Sequence, residues 1–201
     1  MARHVTLGQK ICLEKKGAAM NILVGYASVH GSTAETAQFI GGILRERGLR
    51  VDVADVAQVQ TAAAYDGFVL GSAIHTGRML PAMFAFMQRC APDLARGPVY
   101  LWVMCLCALE DGGDQHVLAE YVPPESLAGV SPVEVRAFPG KLDLSALALN
   151  ERWLLCLRYD GTLKPERHNH DYRRWDAIGA WAMRVAEQLR QGAASARART
   201  G

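Results

Sequence analysis

The chain has 201 residues, of which 50% are hydrophobic and 21% are charged, so a disordered protein is excluded and one globular domain is expected. No apolar run approaches the roughly 18 residues of a membrane-spanning helix. The net charge of +2 comes from the two ends, because residues 1–20 and 190–201 each carry +3 and the remainder carries −4. Since a nucleic-acid-binding domain has its positive charge on the fold itself, we expect no nucleic-acid partner.

The N-terminal stretch, residues 1–19, matches no structural pattern and lacks the apolar region of a secretory signal. We predict that it is a disordered leader or lies before the true start, at Met20. The five cysteines are an odd number and no signal precedes them, which favours a reduced, cytoplasmic protein.

Short apolar runs alternate with helical patterns after Met20. Strands are predicted at 21–27, 48–55, 65–72, 97–105 and 131–138. Helices are predicted around Ala37–Leu44, over 80–94, over 143–159 and along an apolar stripe from Trp175 to Leu189. The domain should therefore span 20–190. The basic tail, 191–201, has no apolar anchor and is predicted to be disordered.

This alternation predicts an α/β fold, a three-layer sandwich around a five-stranded, parallel, doubly wound sheet. Such sheets bind ligands outside the carboxyl ends of their strands, near the point where the strand order reverses. The candidate binding loops therefore follow the first, third and fourth strands, at 28–33, 72–79 and 105–114.

The first of these loops, in "YASVHGSTAETA", has the features of a phosphate site. Gly31 allows a tight turn, and the new helix offers unpaired N–H groups and the positive end of its dipole. The side chains that join them are Ser28, His30, Ser32 and Thr33. A capping box between Ser32 and Glu35 is the local alternative, but it leaves Ser28 and Thr33 unexplained.

The stretch "ILVGYASVHGSTAETA" resembles the phosphate loop of the flavodoxin family, T/S-x-T-G-x-T after the first strand, with His30 in place of the usual threonine. Three more segments resemble the bacterial menaquinone-dependent protoporphyrinogen oxidases and their flavodoxin-domain relatives. They are "YDGFVLGSAIHTGRMLPAMFAFM", "FPGKLDL" and "YRRWDAIGAWAMRVAEQL". The resemblance spans roughly residues 21–190 and implies noncovalent FMN, with its phosphate at 28–33 and its ring between 72–79 and 105–110.

The cofactor site implied by the resemblance takes residues from all three loops. They are Ser28, His30, Gly31, Ser32, Thr33, Ser72, Ala73, Ile74, His75, Thr76, Gly77, Cys105, Leu106, Cys107 and Ala108. His75 is also the catalytic candidate, because an imidazole at the ring edge could hydrogen-bond the ring or move a proton. A solvated loop histidine is the alternative.

No metal site is expected from the remaining cysteine and histidine pairs. Cys105-x-Cys107 lacks the usual C-x-x-C spacing, and it is interpreted as part of the strand core. His168-x-His170 lies in a polar stretch with only Asp171 close by, so we interpret it as a solvated loop.

Neither ring loop carries a Trp or Tyr to stack on a flavin, and the charge of the core is weak. We therefore predict an FMN-dependent oxidoreductase resembling menaquinone-dependent protoporphyrinogen oxidase. It would pass electrons from a reduced, flat small-molecule substrate through flavin to a quinone. A flavodoxin-type one-electron carrier with a redox-protein partner is the first alternative, and a flavin-free regulatory module is the second.

The segment 141–164 carries more apolar side chains than one helix face can bury, and Trp153 lies there among basic residues. We predict that it borders the flavin pocket, admits a hydrophobic partner and makes peripheral membrane contact. An ordinary core helix that covers the sheet is the alternative.

Overall fold

The computed structural model describes residues 20–150, 152 and 169–200. Its main sheet has five parallel strands in the order β2-β1-β3-β5-β6. Their bounds are β1 (Asn21–Ala27), β2 (Arg50–Asp55), β3 (Gly67–His75), β5 (Val99–Met104) and β6 (Glu134–Phe138). A two-residue strand, β4 (Arg78–Met79), pairs antiparallel with β3, so the sheet has six strands where the sequence predicted five.

The strand order reverses between β1 and β3. The chain runs from β1 outward to β2, returns to β3 on the other side of β1, and continues through β5 to β6. The register aligns the carboxyl ends, because Ala27 pairs with Ser72 and Met104 pairs with both Ala73 and Phe138. The segments that leave β1, β3, β5 and β6 therefore meet at one edge of the sheet, as predicted for a ligand site.

Helices cover both faces of the sheet. Their bounds are α1 (Ser32–Glu46), α2 (Pro81–Arg89), α3 (Ala91–Leu94), α4 (Gly113–Tyr121) and α5 (Trp175–Thr200). Short 3-10 turns span Leu106–Leu109 and Pro124–Leu127. One face of the sheet packs against α1 and α5, and the other packs against α2, α3 and α4. This is the predicted three-layer α/β sandwich.

Alternate residues along each strand point to opposite faces of the sheet and therefore pack into two different cores. In β1, Leu23 joins the core under α2–α4, whereas Ile22 and Val24 join the core under α1 and α5. All six residues of β5 are buried, which explains why its sequence is a continuous apolar run. At the centre of the second core, Trp102 of β5 lies 6.1 Å from Trp181 of α5, measured between ring centroids.

Several predicted elements differ from the structure. The predicted helix 80–94 is two helices, α2 and α3, which meet at Cys90. The predicted loop 72–79 is largely the end of β3 and its hairpin with β4. Helix α4 was not predicted, because its sequence "GDQHVLAEY" has little apolar periodicity.

The tail that the sequence predicts to be disordered, 191–201, starts inside helix α5 of the structure. Helix α5 continues to Thr200 without a break. The sequence after Gln191 is rich in Ala and Arg, two strong helix formers, so propensity extends the helix after the apolar stripe ends. The predicted leader, 1–19, lies outside the described residues.

A second sheet has two short strands, one that follows β6 and one that precedes α5. Strands β7 (Lys141–Leu142) and β8 (His170–Asp171) pair antiparallel, with Lys141 opposite Asp171 and Leu142 opposite His170. The predicted helix 143–159 does not begin at 143. Residues 144–146 form a turn, and the first helical residue is 149. Residues 151 and 153–168, with Trp153, lie outside the described part. None of the helices described is long and apolar enough to cross a membrane.

Candidate functional site

A cavity of about 340 Å³ lies at the carboxyl edge of the main sheet. Its walls come from residues 28–30 and 32 after β1, 73–77 in the β3–β4 hairpin, 104–107 at the end of β5, and 140–142 and 147 after β6. Tyr121, the last residue of α4, completes the lining. The three predicted binding loops therefore surround one cavity.

The 28–33 loop turns the chain from β1 into α1. The Gly31 N–H donates to Ser28 Oγ at 3.0 Å, and the Gly31 carbonyl accepts the first helical bond from the Glu35 N–H at 2.9 Å. Gly31 has φ +85°, and a β-carbon there would meet nothing within 4 Å, so the positive φ is what requires glycine. The N-cap of α1, Gly31, has no side chain and therefore makes no side-chain hydrogen bond to the first-turn amides of the helix.

The capping box between Ser32 and Glu35, which was the alternative to a phosphate site, does not form. Ser32 is the first residue of α1 rather than its N-cap, and Glu35 pairs with Arg173 at 2.7 Å instead. Thr33 is fully buried, and its Oγ1 has no hydrogen-bond partner within the described part of the chain. Thr33 and Gly31 do not line the cavity, but a buried hydroxyl without a partner is costly, so a hydrogen-bond acceptor at this helix turn would stabilise the Thr33 hydroxyl.

The second predicted loop forms one side of the cavity as a tight hairpin. Thr76 and Gly77 both have positive φ, +50° and +75°, and they connect β3 to β4. His75 is exposed at the end of β3 and lines the cavity, opposite Arg78 in the register. Ala73, Ile74, Thr76 and Gly77 also line it.

Ser72 has a structural role within this hairpin. It is fully buried, and its hydroxyl accepts from the Leu80 N–H at 3.0 Å and donates to the Ala73 carbonyl at 2.9 Å. These bonds hold the start of α2 against β3, and Ser72 does not line the cavity. Its hydroxyl is therefore already used inside the protein.

The third predicted loop combines core and cavity. Cys105 and Cys107 are each 8% exposed and belong to the core, as the sequence indicated, yet both also line the cavity together with Leu106. Ala108 is buried in the same core and does not line the cavity. The Cys107 Sγ lies 3.9 Å from the Tyr121 hydroxyl. Within the residues described, no group of His, Cys, Asp and Glu could hold a metal ion.

The sequence missed several residues of the cavity wall. Tyr121 was missed because α4 was not predicted, and its ring packs against Gly77, where a β-carbon would lie 3.5 Å from Tyr121 Cε1. The ring loops themselves carry no Trp or Tyr, as the sequence indicated, but α4 brings Tyr121 to the cavity wall. The cavity wall also contains residues that were not among the predicted cofactor-binding residues. They are Val29, Met104, Gly140, Lys141, Leu142 and Leu147. The last three belong to the segment that was expected to border the pocket.

Comparison with known proteins agrees with this architecture. A family model described as a flavodoxin domain matches residues 23–167. The chain is similar to a flavodoxin from the domain Archaea, with 17% identity, coverage of 85% of this chain and 99% of that chain, and a TM-score of 0.49. It is similar to flavodoxin 1 from Bacillus cereus, with 18% identity, coverage of 72% and 99%, and a TM-score of 0.44.

A larger protein is also similar over part of its length. The rubredoxin oxygen:oxidoreductase from Desulfovibrio gigas shares 15% identity with this chain and has a TM-score of 0.46. The match covers 85% of this chain but 36% of that protein. No curated protein matches the chain.

Proposed function

Because this chain belongs to the flavodoxin domain family, whose cofactor is FMN, we propose that it is an electron-transfer flavoprotein of the one-electron carrier type. The observation that carries the FMN site is the Thr33 hydroxyl, buried without a partner in the first turn of α1. An anionic phosphate would accept a bond from this hydroxyl and from the uncapped first-turn amides. The residues present therefore fit the cofactor.

The chain's own groups divide into a phosphate wall and a ring wall. Ser32, Thr33 and the N-terminal amides of α1 would hold the phosphate, without a lysine. The hairpin 73–77 and the segment 104–107 offer small side chains and backbone groups to a flat ring, and Tyr121 supplies an aromatic face beside Gly77.

Bound FMN supplies the ability to accept and release one or two electrons. The protein adjusts the surroundings of that chemistry. His75, exposed at the mouth of the cavity, can hold or deliver a proton at its imidazole nitrogens. Lys141, which also lines the cavity, brings an ammonium group that favours added negative charge there.

Two observations support the carrier in preference to a substrate-oxidising enzyme. The prediction of an enzyme depended in part on the lack of a Trp or Tyr to stack on the flavin. Tyr121 in the cavity wall removes that argument. The volume of about 340 Å³ lies at the low end of the range for a single small-molecule ligand, which fits one cofactor. The expected partner is another redox protein that docks at the exposed cavity mouth.

A second candidate is FMN-dependent oxidation of a reduced, flat substrate with a quinone as acceptor, as in menaquinone-dependent protoporphyrinogen oxidase. One observation favours it: the wall after β7 is apolar, with Leu142 and Leu147 lining the cavity and Leu149 83% exposed beside it. This wall could meet a quinone or a membrane surface, so peripheral membrane contact through 141–164 belongs to this candidate.

FMN binding is tested first. Purified protein should bind one FMN per chain. The quenching of flavin fluorescence measures this binding. Replacing Ser28 and Ser32 by Asp places negative charge at the phosphate wall and should abolish uptake, whereas the neutral pair Ser28→Asn and Ser32→Asn should keep most of it. Equal uptake by the Asp and Asn variants would overturn the phosphate assignment.

The two functions are separated by the electron stoichiometry and the acceptor. A carrier should be reduced in two resolved one-electron steps during potentiometric titration, and it should pass electrons from an NADPH-dependent reductase to cytochrome c. Rapid FMN-dependent reduction of a soluble quinone, with a single two-electron step, would favour the enzyme instead. Leu149→Asp changes an exposed residue that does not line the cavity, and it should lower quinone reduction while leaving FMN affinity unchanged if the second candidate is correct.

A further inference from the structure

Arg173 is the one buried charged residue in the described part of the chain, with its side chain 3% exposed. It lies between β8 and the first turn of α1. Its Nε and Nη2 donate to the two carboxylate oxygens of Asp171, at 2.8 and 2.6 Å. Its Nη1 donates to the Ser32 carbonyl at 3.0 Å, and its Nη2 also reaches Glu35 Oε2 at 2.7 Å.

The partners of Arg173 belong to two segments that are far apart in the chain and both contribute to the cavity wall. Ser32, at the start of α1, lines the cavity itself. Asp171 is paired in register with Lys141, which also lines the cavity. The Tyr172 N–H also donates to the carbonyl of Gly140, another lining residue, at 3.2 Å. One guanidinium therefore joins the loop after β1 to the strand after β6.

The arrangement of charge indicates that Arg173 acts by geometry rather than as a cation for the cofactor. Two carboxylates, Asp171 and Glu35, surround a single guanidinium, so the cluster has no free positive charge to offer a phosphate. The forked guanidinium of Arg173 makes two parallel hydrogen bonds with the Asp171 carboxylate. The Trp175 ring lies 4.4 Å from Arg173 Cζ. These contacts leave the side chain a single orientation, in which it also fixes the Ser32 carbonyl.

We propose that Arg173 is a positioning residue that couples the two walls of the cavity, the 28–32 loop and β7, so that ligand contact with one wall orders the other. This inference rests on the proposed FMN site. FMN bound at the phosphate wall should then protect β7 as well. Loss of Arg173 should uncouple the walls and weaken FMN binding.

The test compares Arg173→Met with Arg174→Met, which removes an exposed arginine from the neighbouring position. Hydrogen exchange by mass spectrometry is measured for peptides covering 28–36 and 139–144, with and without FMN. In the wild type and in Arg174→Met, FMN should protect both peptides. In Arg173→Met, it should protect only 28–36, and the Kd for FMN should rise about fivefold or more, the usual size of a coupling between sites.

Two further variants separate geometry from charge. Arg173→Lys keeps the charge but not the fork, so it should lose protection of 139–144 as Arg173→Met does. Glu35→Gln removes the half-exposed carboxylate, and it should leave both the Kd and the joint protection unchanged. Wild-type behaviour of Arg173→Lys would show that charge alone suffices, and the proposal would be dropped.

The remaining outcomes also decide the question. Joint protection and an unchanged Kd in Arg173→Met would overturn the coupling. If Arg173→Met does not fold, Asp171→Asn breaks only the β8 side of the contact and should uncouple the walls in the same way. If the wild type binds no FMN, the proposed function fails. Exchange in the unliganded proteins still tests the contact, because Arg173→Met should then speed exchange in 28–36 and 139–144 together.

Discussion

The indole of Trp102 occupies the space beside Gly71 in which a β-carbon would lie. A β-carbon built on Gly71 comes 2.0 Å from Trp102 Cζ2, closer than any real contact allows. Trp102 is fully buried and packs against Trp181, so its ring has no room to move away. Gly71 in β3 is therefore fixed by the size of a side chain in the neighbouring strand.

Gly71→Ala should destabilise the protein by about 3 kcal/mol, at the upper end of the range for overpacked cores. The matched control is Gly42→Ala in α1, where a β-carbon meets nothing within 4 Å. That change should stabilise the protein by about 0.5–1 kcal/mol, because alanine is the better helix former. Urea unfolding measures both, and equal effects would contradict this description of the core.

Thr33→Val should separate stability from cofactor binding. The Thr33 hydroxyl has no partner in the described residues, so its removal should leave the free energy of unfolding unchanged or raise it by about 1 kcal/mol. FMN affinity should fall about tenfold or more, because a bond to a charged group contributes about 1.5–3 kcal/mol. Chemical unfolding without FMN and a fluorescence titration with FMN measure the two quantities.

Thr36→Val is the control for this change. The Thr36 hydroxyl donates to the Ser32 carbonyl at 3.0 Å, so its loss should cost about 0.5–1.5 kcal/mol of stability. FMN affinity should change less than in Thr33→Val. The assignment of Thr33 to the phosphate would be wrong if Thr33→Val lost stability while keeping its affinity.

Tyr121→Leu should weaken FMN binding about three- to tenfold, since an aromatic contact contributes about 0.5–1.5 kcal/mol beyond burial. Tyr121→Phe keeps the ring and should bind within about twofold of the wild type. The visible absorption spectrum of bound FMN should change in the Leu variant and not in the Phe variant. Identical spectra in all three proteins would place the flavin ring away from Tyr121.

Acid should weaken the Asp171–Arg173 pair in a predictable direction. The hydrogen bond from Arg173 is the main reason that the pKa of Asp171 is lowered, and the charge of nearby Lys141 acts in the same sense. Because the folded-state pKa is depressed, the stabilisation is present above the ordinary carboxyl pKa, about 4, and is lost as the pH falls through the lower folded value.

Asp171→Asn should therefore lower the thermal unfolding midpoint at neutral pH, and the gap from the wild type should close below about pH 4. Glu187→Gln changes an exposed carboxylate on α5 and serves as the control, with a gap near zero at every pH. A gap for Asp171→Asn that stays constant down to pH 2.5 or so would show that Asp171 does not titrate through this pair.

The sequence by itself determined the layers of the fold and the position of the glycine turn between β1 and α1. Buried parallel strands are apolar along their whole length, so the run "VYLWVM" at 99–104 is recognisable without a structure. Gly31 and the hydroxyls after β1 are local too, because a strand-to-helix turn is built from adjacent residues. FMN as the cofactor is confirmed by the flavodoxin domain family to which the chain belongs.

Only the tertiary structure decided which distant residues complete the site. Tyr121 and Lys141 reach the cavity because parallel strands place their carboxyl ends at one edge, which brings together segments far apart in the chain. Ser72 and Ser32 look alike in sequence, yet the hydroxyl of Ser72 is used inside the hairpin whereas Ser32 lines the cavity. Arg173 is one of two adjacent arginines. Its contacts with α1 and with Asp171 bury it, whereas Arg174 is exposed. Such pairings depend on contacts between residues more than a hundred positions apart, which no local pattern encodes.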